Sequence, residues 1–325
     1  MRILVIGGTQ FIGRRVVELL VGRGDEVLLV HRGTTEHEET LGTHLHVDRA
    51  EFASVADRVR AFAPDAVVDA IAMTAADVEA VLPHLPEVPI VLLSSIDVSL
   101  AYGALLAKGP ALVPVPFDEE APVRENRYPY RSASRPGERG HDYDKLDVEP
   151  PYLARGAAVL RLGMVYGPRD PQRREEFVLR RVRAGRRRIP VGPATLLLPR
   201  VYIDDAAASV LAALDRFDRA GGEVFHVTER ATYPIGAWMR RILAVAGHEA
   251  ELVRVSDDRL PDDLGLTSGV EQHLLASSAK ATRELGWQPS DLDTAIERSV
   301  RWHLDNPPTG SDDDFSTDEE ALMTA

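Results

Sequence analysis

Gly7, Gly8 and Gly13 lie in the opening stretch RILVIGGTQFIG, and the chemistry their spacing allows is anion binding. Glycines between a strand and a helix permit a tight turn. That turn aims backbone N–H groups and the positive end of the helix dipole at one point, a geometry that holds a pyrophosphate. Thr9, Gln10, Phe11 and Ile12 fill the turn and open the helix. A second concentration of charge lies downstream: Arg173, Arg174, Arg180, Arg181, Arg183, Arg186, Arg187 and Arg188. Such a cluster is either a solvated helix face or the cationic side of a site for an anionic small molecule.

These groups need elements to hold them. Ile3 to Ile6 is an uninterrupted apolar run, which suits a strand buried on both faces of a parallel sheet. Apolar residues at Ile12, Val16, Val17, Leu19 and Leu20 predict the helix that follows. Further strands are expected at Val27–Val30, Leu45–Val47, Ala66–Val68, Ile90–Leu93 and Ala157–Leu162, with helices over 54–62 and 74–82. Ala70 and the pair Ser94-Ser95 then stand at C-terminal strand ends, where open α/β sheets place ligands. Pro110 to Gly140 lacks periodicity, and its length marks it as a functional loop. A helix is expected from His141 to Glu149, ended by Pro150-Pro151. Downstream, strands at 223–227 and 252–255 and helices at 235–245 and 292–304 complete the pattern. The fold class is α/β, a Rossmann-like doubly wound parallel sheet over residues 1–168. A smaller C-terminal substrate-binding region, 169–306, interleaves with it.

Composition excludes several classes. There is no cysteine, so disulfides, thiolate catalysis and cysteine metal sites are ruled out. The ten histidines do not pair with acids at ligand spacing near a recognisable cleft, and no metal site is expected. A net charge of −13 makes nucleic acid an unfavoured partner. Asp312, Asp313, Asp314, Asp318, Glu319 and Glu320 supply part of it, and 307–325 reads as a disordered acidic tail. No run reaches membrane-span length and no signal peptide precedes the first strand, so a cytoplasmic protein is the expectation.

The glycine stretch resembles the G-x-x-G-x-x-G fingerprint of the short-chain dehydrogenase/reductase superfamily, in its extended NAD-dependent epimerase/dehydratase branch. Gly7 and Gly13 fall on the first and third glycines, and Gln10 takes the middle place. Arg161 to Arg169 is similar to the family's R-x-x-x-V-Y-G-P-R, and Val201 to Ala207 to its V-x-D-x-A junction. With the closing L-G-W-x-P at Leu285–Pro289, the resemblance covers about residues 1–306.

The resemblance implies a nicotinamide cofactor. The residue after the second strand normally meets the adenosine ribose, where an acid favours NAD and a basic residue suits NADP. Arg32 stands there, so NADP is expected, with NAD as the alternative. Asp48 falls where the family has an Asp on the adenine edge. Lys145 is matched through K-x-x-x-E with Glu149, which places it on the nicotinamide ribose. The family's tyrosine precedes this lysine by four residues, so that both share one helix face. Here that position is His141, while Tyr143 is two residues from Lys145 and about 200° away on a regular helix. The acid/base is therefore His141, or Tyr143 from an irregular first turn, or absent. Ile96 replaces the family's third strand-end hydroxyl, leaving Ser94 or Ser95 to polarise a carbonyl. The implied activity is oxidoreduction, epimerisation or dehydration at a hydroxyl or carbonyl of a sugar-nucleotide-like or phosphorylated small molecule, and the implied assembly is a homodimer. The alternative is a non-catalytic NAD(P)-binding sensor or regulator. Some atypical relatives bind RNA, which the acidic balance disfavours.

Overall fold

Alternate residues of the first strand, β1 (Arg2–Ile6), feed different cores. Ile3 and Val5 pack on one side with Val16, Val17 and Leu20. Leu4 and Ile6 pack on the other with Phe52, Val59 and Val148. A strand covered on both faces reads as a continuous apolar run, because neither face can be polar. The computed structural model describes residues 1–35, 41–107, 112–310 and 314–323.

The first half runs β1, α1 (Phe11–Arg23), β2 (Glu26–His31), β3 (Thr43–His46), α2 (Ala56–Phe62), β4 (Ala66–Asp69), α3 (Ala75–Val81) and β5 (Ile90–Ser95). It continues with α4 (Leu100–Ala107), α5 (Lys145–Ala154), β6 (Ala158–Leu162) and β7 (Met164–Tyr166). Next come α6 (Glu176–Arg183), β8 (Arg188–Val191), β9 (Arg200–Tyr202), α7 (Ile203–Asp215), α8 (Phe217–Ala220) and β10 (Val224–Val227). The chain then forms α9 (Ile235–Val245), β11 (Glu251–Arg254), α10 (Leu292–Asp305) and α11 (Ser316–Met323). Seven strands form one parallel sheet in the order β10-β6-β5-β4-β1-β2-β3. The order reverses between β1 and β4, which opens a crevice at the C-terminal strand ends. β10 enters the main sheet beside β6, so the later chain returns to the first layer. Two small parallel pairs, β8 with β11 and β7 with β9, lie outside that sheet.

The glycine turn is set by steric limits. Gly7 has φ +87°, a left-handed conformation that side chains rarely adopt. A Cβ on Gly13 would lie 2.0 Å from the Gly7 carbonyl oxygen, so only glycine lets α1 cross the end of β1 this closely. Thr74 caps α3 with Asp77 in a reciprocal capping box.

Two expectations are corrected. The helix expected from His141 to Glu149 begins instead at Lys145, after Asp144 as cap, and runs through Pro150 and Pro151 to Ala154. Asp144 is buried, accepts from the Leu146 amide, and binds Arg124 and Arg127, which fixes the start. The prolines forfeit two backbone donors, but Val148, Glu149 and Tyr152 are buried on the face that packs on the sheet. Packing outweighs the loss.

The tail is not disordered throughout its described residues, since α11 docks on α6. Fully buried Arg181 donates to Asp318 at 2.7 and 2.6 Å and to Asp263 at 2.7 Å, while Phe315 lies under the Arg180 and Arg186 guanidiniums. An acidic run reads as solvated unless its fixed cationic partners, more than a hundred residues away, are known. Pro110 at the start of the long loop, and Asp312 and Asp313 of the tail, lie outside the described residues. Asp318→Asn removes one of the two carboxylates facing the buried Arg181 charge. It is expected to lower stability by about 1–3 kcal/mol, read from urea unfolding. Unchanged stability would contradict this docking.

Candidate functional site

The crevice at the strand ends encloses a cavity of about 750 Å³. Phe11, Ile12 and Ala70 line its glycine-turn end, Ser94, Ser95 and Lys145 its middle, and Met164, Gln172 and Arg174 its far wall. It therefore lies between the sheet and the later part of the chain.

Lys145 is the first residue of α5, and its side chain runs back into the crevice. Its Nζ donates to the carbonyl oxygens of Ala72 and Leu93, at 2.5 and 2.8 Å. An ammonium has three donors, so one is left for a ligand. Burial lowers its pKa to about 8, opposed by the charges of Asp97, Asp69 and Glu149.

Tyr143 precedes the helix cap, where no regular helix constrains it. It therefore lines the same cavity as Lys145, which resolves the 200° divergence of the sequence reading. Its hydroxyl donates to Asp97 Oδ2 at 2.9 Å, and Tyr130 donates to the same oxygen at 3.0 Å. Tyr102 and Tyr130 share a further hydrogen bond of 2.9 Å. Burial, then the Asp97 charge, pushes the Tyr143 phenol well above its usual range. Burial also raises Asp97, although both phenols, Arg124 and Lys145 oppose the shift. Asp97 Oδ1 is buried without a hydrogen-bond partner among the described residues.

The other expected groups are placed as follows. His141 lies outside the residues lining the cavity, its Nδ1 2.8 Å from the Asp142 carboxylate. Ser94 lines the cavity but donates to Glu149, which Arg161 holds by paired hydrogen bonds. Ser95 lines the cavity, and its hydroxyl accepts from the Asp97 amide at 3.1 Å. Ile96 is buried in an apolar cluster with Phe117 and Leu274. In the turn, Thr9 bonds Thr35 at 2.9 Å, and Gln10 starts α1 in extended backbone without a side-chain cap bond. Gly8 packs under Val5, Val17 and Leu29, where a side chain would not fit. Arg32 is exposed beyond the end of β2, and Asp48 caps the short turn that follows β3 by accepting from Ala50.

Asp97, Tyr102 and Tyr130 escaped assignment. Tyr130 comes from the long irregular loop, whose buried anchor is Arg124 on Asp144, a pairing without local sequence signal. Asp97 directly follows Ser94-Ser95-Ile96 at the ligand-bearing strand end, and that position was the available clue. Arg49, Asp69 and Tyr152 form another unforeseen group under the crevice, with Arg49 donating to both Asp69 oxygens at 2.9 and 2.6 Å.

The arginine cluster behaves differently from a free cationic patch. Each of its eight members pairs with a carboxylate of this chain. Arg174 alone of them lines the main cavity, while Arg173, Arg174 and Arg180 line a neighbouring one of about 580 Å³.

Residues 3–83 match the family model of the NAD dependent epimerase/dehydratase family. The chain is 26% identical over 344 residues to the chloroplast stem-loop binding protein of 41 kDa b of Arabidopsis thaliana, covering 99% of this chain and 84% of that one. It is 28% identical over 322 residues to a 3-diazoavenalumate denitrifying reductase of a Streptomyces species, covering 89% and 96%. A solved UDP-glucose 4-epimerase superposes with a TM-score of 0.72 at 17% identity, covering 96% of this chain and all of that one. Residues 3–83, which span β1 to α3, thus match the model of the NAD dependent epimerase/dehydratase family, in a chain that shares its overall fold with a solved epimerase.

Proposed function

We propose that this protein is an NAD(P)-dependent oxidoreductase or epimerase acting on a hydroxyl or carbonyl of a sugar-nucleotide-like or phosphorylated small molecule. The observation that carries the reading is the buried Lys145 ammonium, sharing one cavity with Tyr143, Asp97 and Ser95 at the end of the glycine turn. The turn itself fits a dinucleotide: Gly7 and Gly13 bring the start of α1 against the strand end without side chains between. The nicotinamide would supply hydride transfer, which no side chain can provide.

The chain's own residues supply the proton path. Tyr143 is a neutral phenol, so it acts first as a donor toward a substrate oxygen. To take a proton from a substrate hydroxyl it must pass its own to Asp97 Oδ2, to which it is already hydrogen-bonded. In the opposite direction Asp97 returns that proton. The raised Asp97 pKa suits this exchange. Tyr130 holds the receiving oxygen in place, and Ser95 offers a hydroxyl for orientation.

An NADP preference is supported by charge. Arg32 lies close enough to Arg139 to affect it: burial lowers the Arg139 pKa, Asp77 opposes, and the Arg32 and Arg49 charges add to the lowering. Neighbouring cations of this kind suit a phosphate. Arg174 is the member of the arginine cluster left for a substrate anion in the main cavity. A cofactor-binding protein without turnover is the second reading, favoured by Ile96 occupying the strand-end position with an apolar side chain.

Tyr143→Phe is expected to cut turnover by about two to four orders of magnitude while cofactor binding persists, and His141→Ala to leave both near parental values. Assays on nucleotide-sugar and phosphorylated substrates check this; the reverse pattern would transfer the role to His141. Parent protein that binds cofactor but turns over no such substrate would favour the second reading. For the cofactor, Arg32→Ala should weaken NADP(H) by about 1–3 kcal/mol and spare NAD(H). Calorimetry showing equal losses for both would refute the assignment.

A further inference from the structure

Three histidines meet at the edge of the main sheet, away from the groups lining the cavity. In the β2–β3 pairing His31 stands opposite His46, and Leu29 opposite His44. Strand side chains alternate, so His44 and His46 share one face, and the residue opposite His46 shares it too. The intervening Leu45 points to the other face, where it is buried in the core. The three ring centroids lie 4.7, 4.9 and 6.1 Å apart.

We propose that His31, His44 and His46 form a site for a divalent transition metal, with Zn²⁺ as the class of ion. One nitrogen from each ring lies within 4.8 Å of the others, and His31 Nε2 is already 2.8 Å from His44 Nδ1. Tetrahedral zinc with Zn–N near 2.0–2.1 Å needs nitrogens roughly 3.3 Å apart, so the rings require an adjustment of about 1–2 Å. His46 is exposed at the sheet edge, so an adjustment of this size there does not disturb the core. Two ligands two residues apart on one strand and a third on its neighbour give a facial arrangement, which leaves a fourth position for water or a ligand.

Binding has an identifiable cost. Gly33 N–H donates to His31 Nδ1 at 3.2 Å, which leaves the ring proton on Nε2. Metal at Nε2 requires that proton to move to Nδ1, the 2.8 Å hydrogen bond to His44 to be replaced by coordination, and the Gly33 contact to open. No net proton is released, because the ring stays neutral. The contact is long for a hydrogen bond, so its loss is a modest penalty. Because Gly33 follows Arg32, loading the site would be felt beside the proposed ribose-phosphate contact.

The test uses the full, untagged chain stripped with chelator and titrated with Zn²⁺ by calorimetry and with Co²⁺ by visible absorption. One Zn²⁺ per chain, a tetrahedral Co²⁺ spectrum and a raised Tm are expected. His46→Ala and His44→Ala should each weaken Zn²⁺ by at least about tenfold, since even outer-shell partners of metal ligands matter that much. His46 is exposed, so its variant should fold like the parent, and circular dichroism checks this. Substoichiometric binding, an octahedral Co²⁺ spectrum, or unchanged Zn²⁺ affinity in the two variants would overturn the proposal.

Discussion

Burial of charge along one face of α5 is the constraint on which the site depends. Lys145, Glu149 and Tyr152 recur at helical spacing and all point into the molecule. Taking a charge out of water costs several kcal/mol unless it is paired and hydrogen-bonded. Each of these polar side chains is answered from beneath: Lys145 by the carbonyls of Ala72 and Leu93, Glu149 by Arg161 and Ser94, and the Tyr152 hydroxyl by Asp69 and Arg49. These contacts fix the helix in rotation and along its axis. They also explain how it survives two consecutive prolines, since its position is set by its buried face more than by its own hydrogen-bond ladder.

The same constraint determines the chemistry. Because Asp144 caps the helix and is held by Arg124 and Arg127, the residues before it leave the helical path. Tyr143 can then reach Asp97, and the long loop bound through Arg124 brings Tyr130 to the same carboxylate. The result differs from a tyrosine activated by a lysine on its own helix face. Here the phenol is held neutral by burial and by a carboxylate, and the lysine acts on that carboxylate through space.

The central sheet and the glycine turn were legible in the sequence, because buried parallel strands leave continuous apolar runs and Gly7 and Gly13 leave no alternative at their contacts. The start of α5 was not. It is decided by Arg124 and Arg127 reaching Asp144 from a loop without periodicity, a pairing invisible to local patterns. The tail and the arginine cluster were each read as solvated or ligand-facing, whereas Arg181 and Arg186 of the cluster pair with Asp318 and Glu319 of the tail. The histidine triad was hidden for a related reason: His31 joins the H-x-H of β3 only through strand register.

The measurement closest to the central claim needs no substrate. NADPH affinity, followed by nicotinamide fluorescence from neutral to alkaline pH, reports whether the buried Lys145 ammonium holds the cofactor. Its pKa of about 8 in the free protein means that the charge is present below that pH and lost above it. A ligand bound to the ammonium favours the protonated form, so affinity should fall as pH rises through about 8, and Lys145→Gln should bind weakly with no such fall. A parent profile that stays flat through this range, or a variant that keeps the parent's profile, would contradict the account.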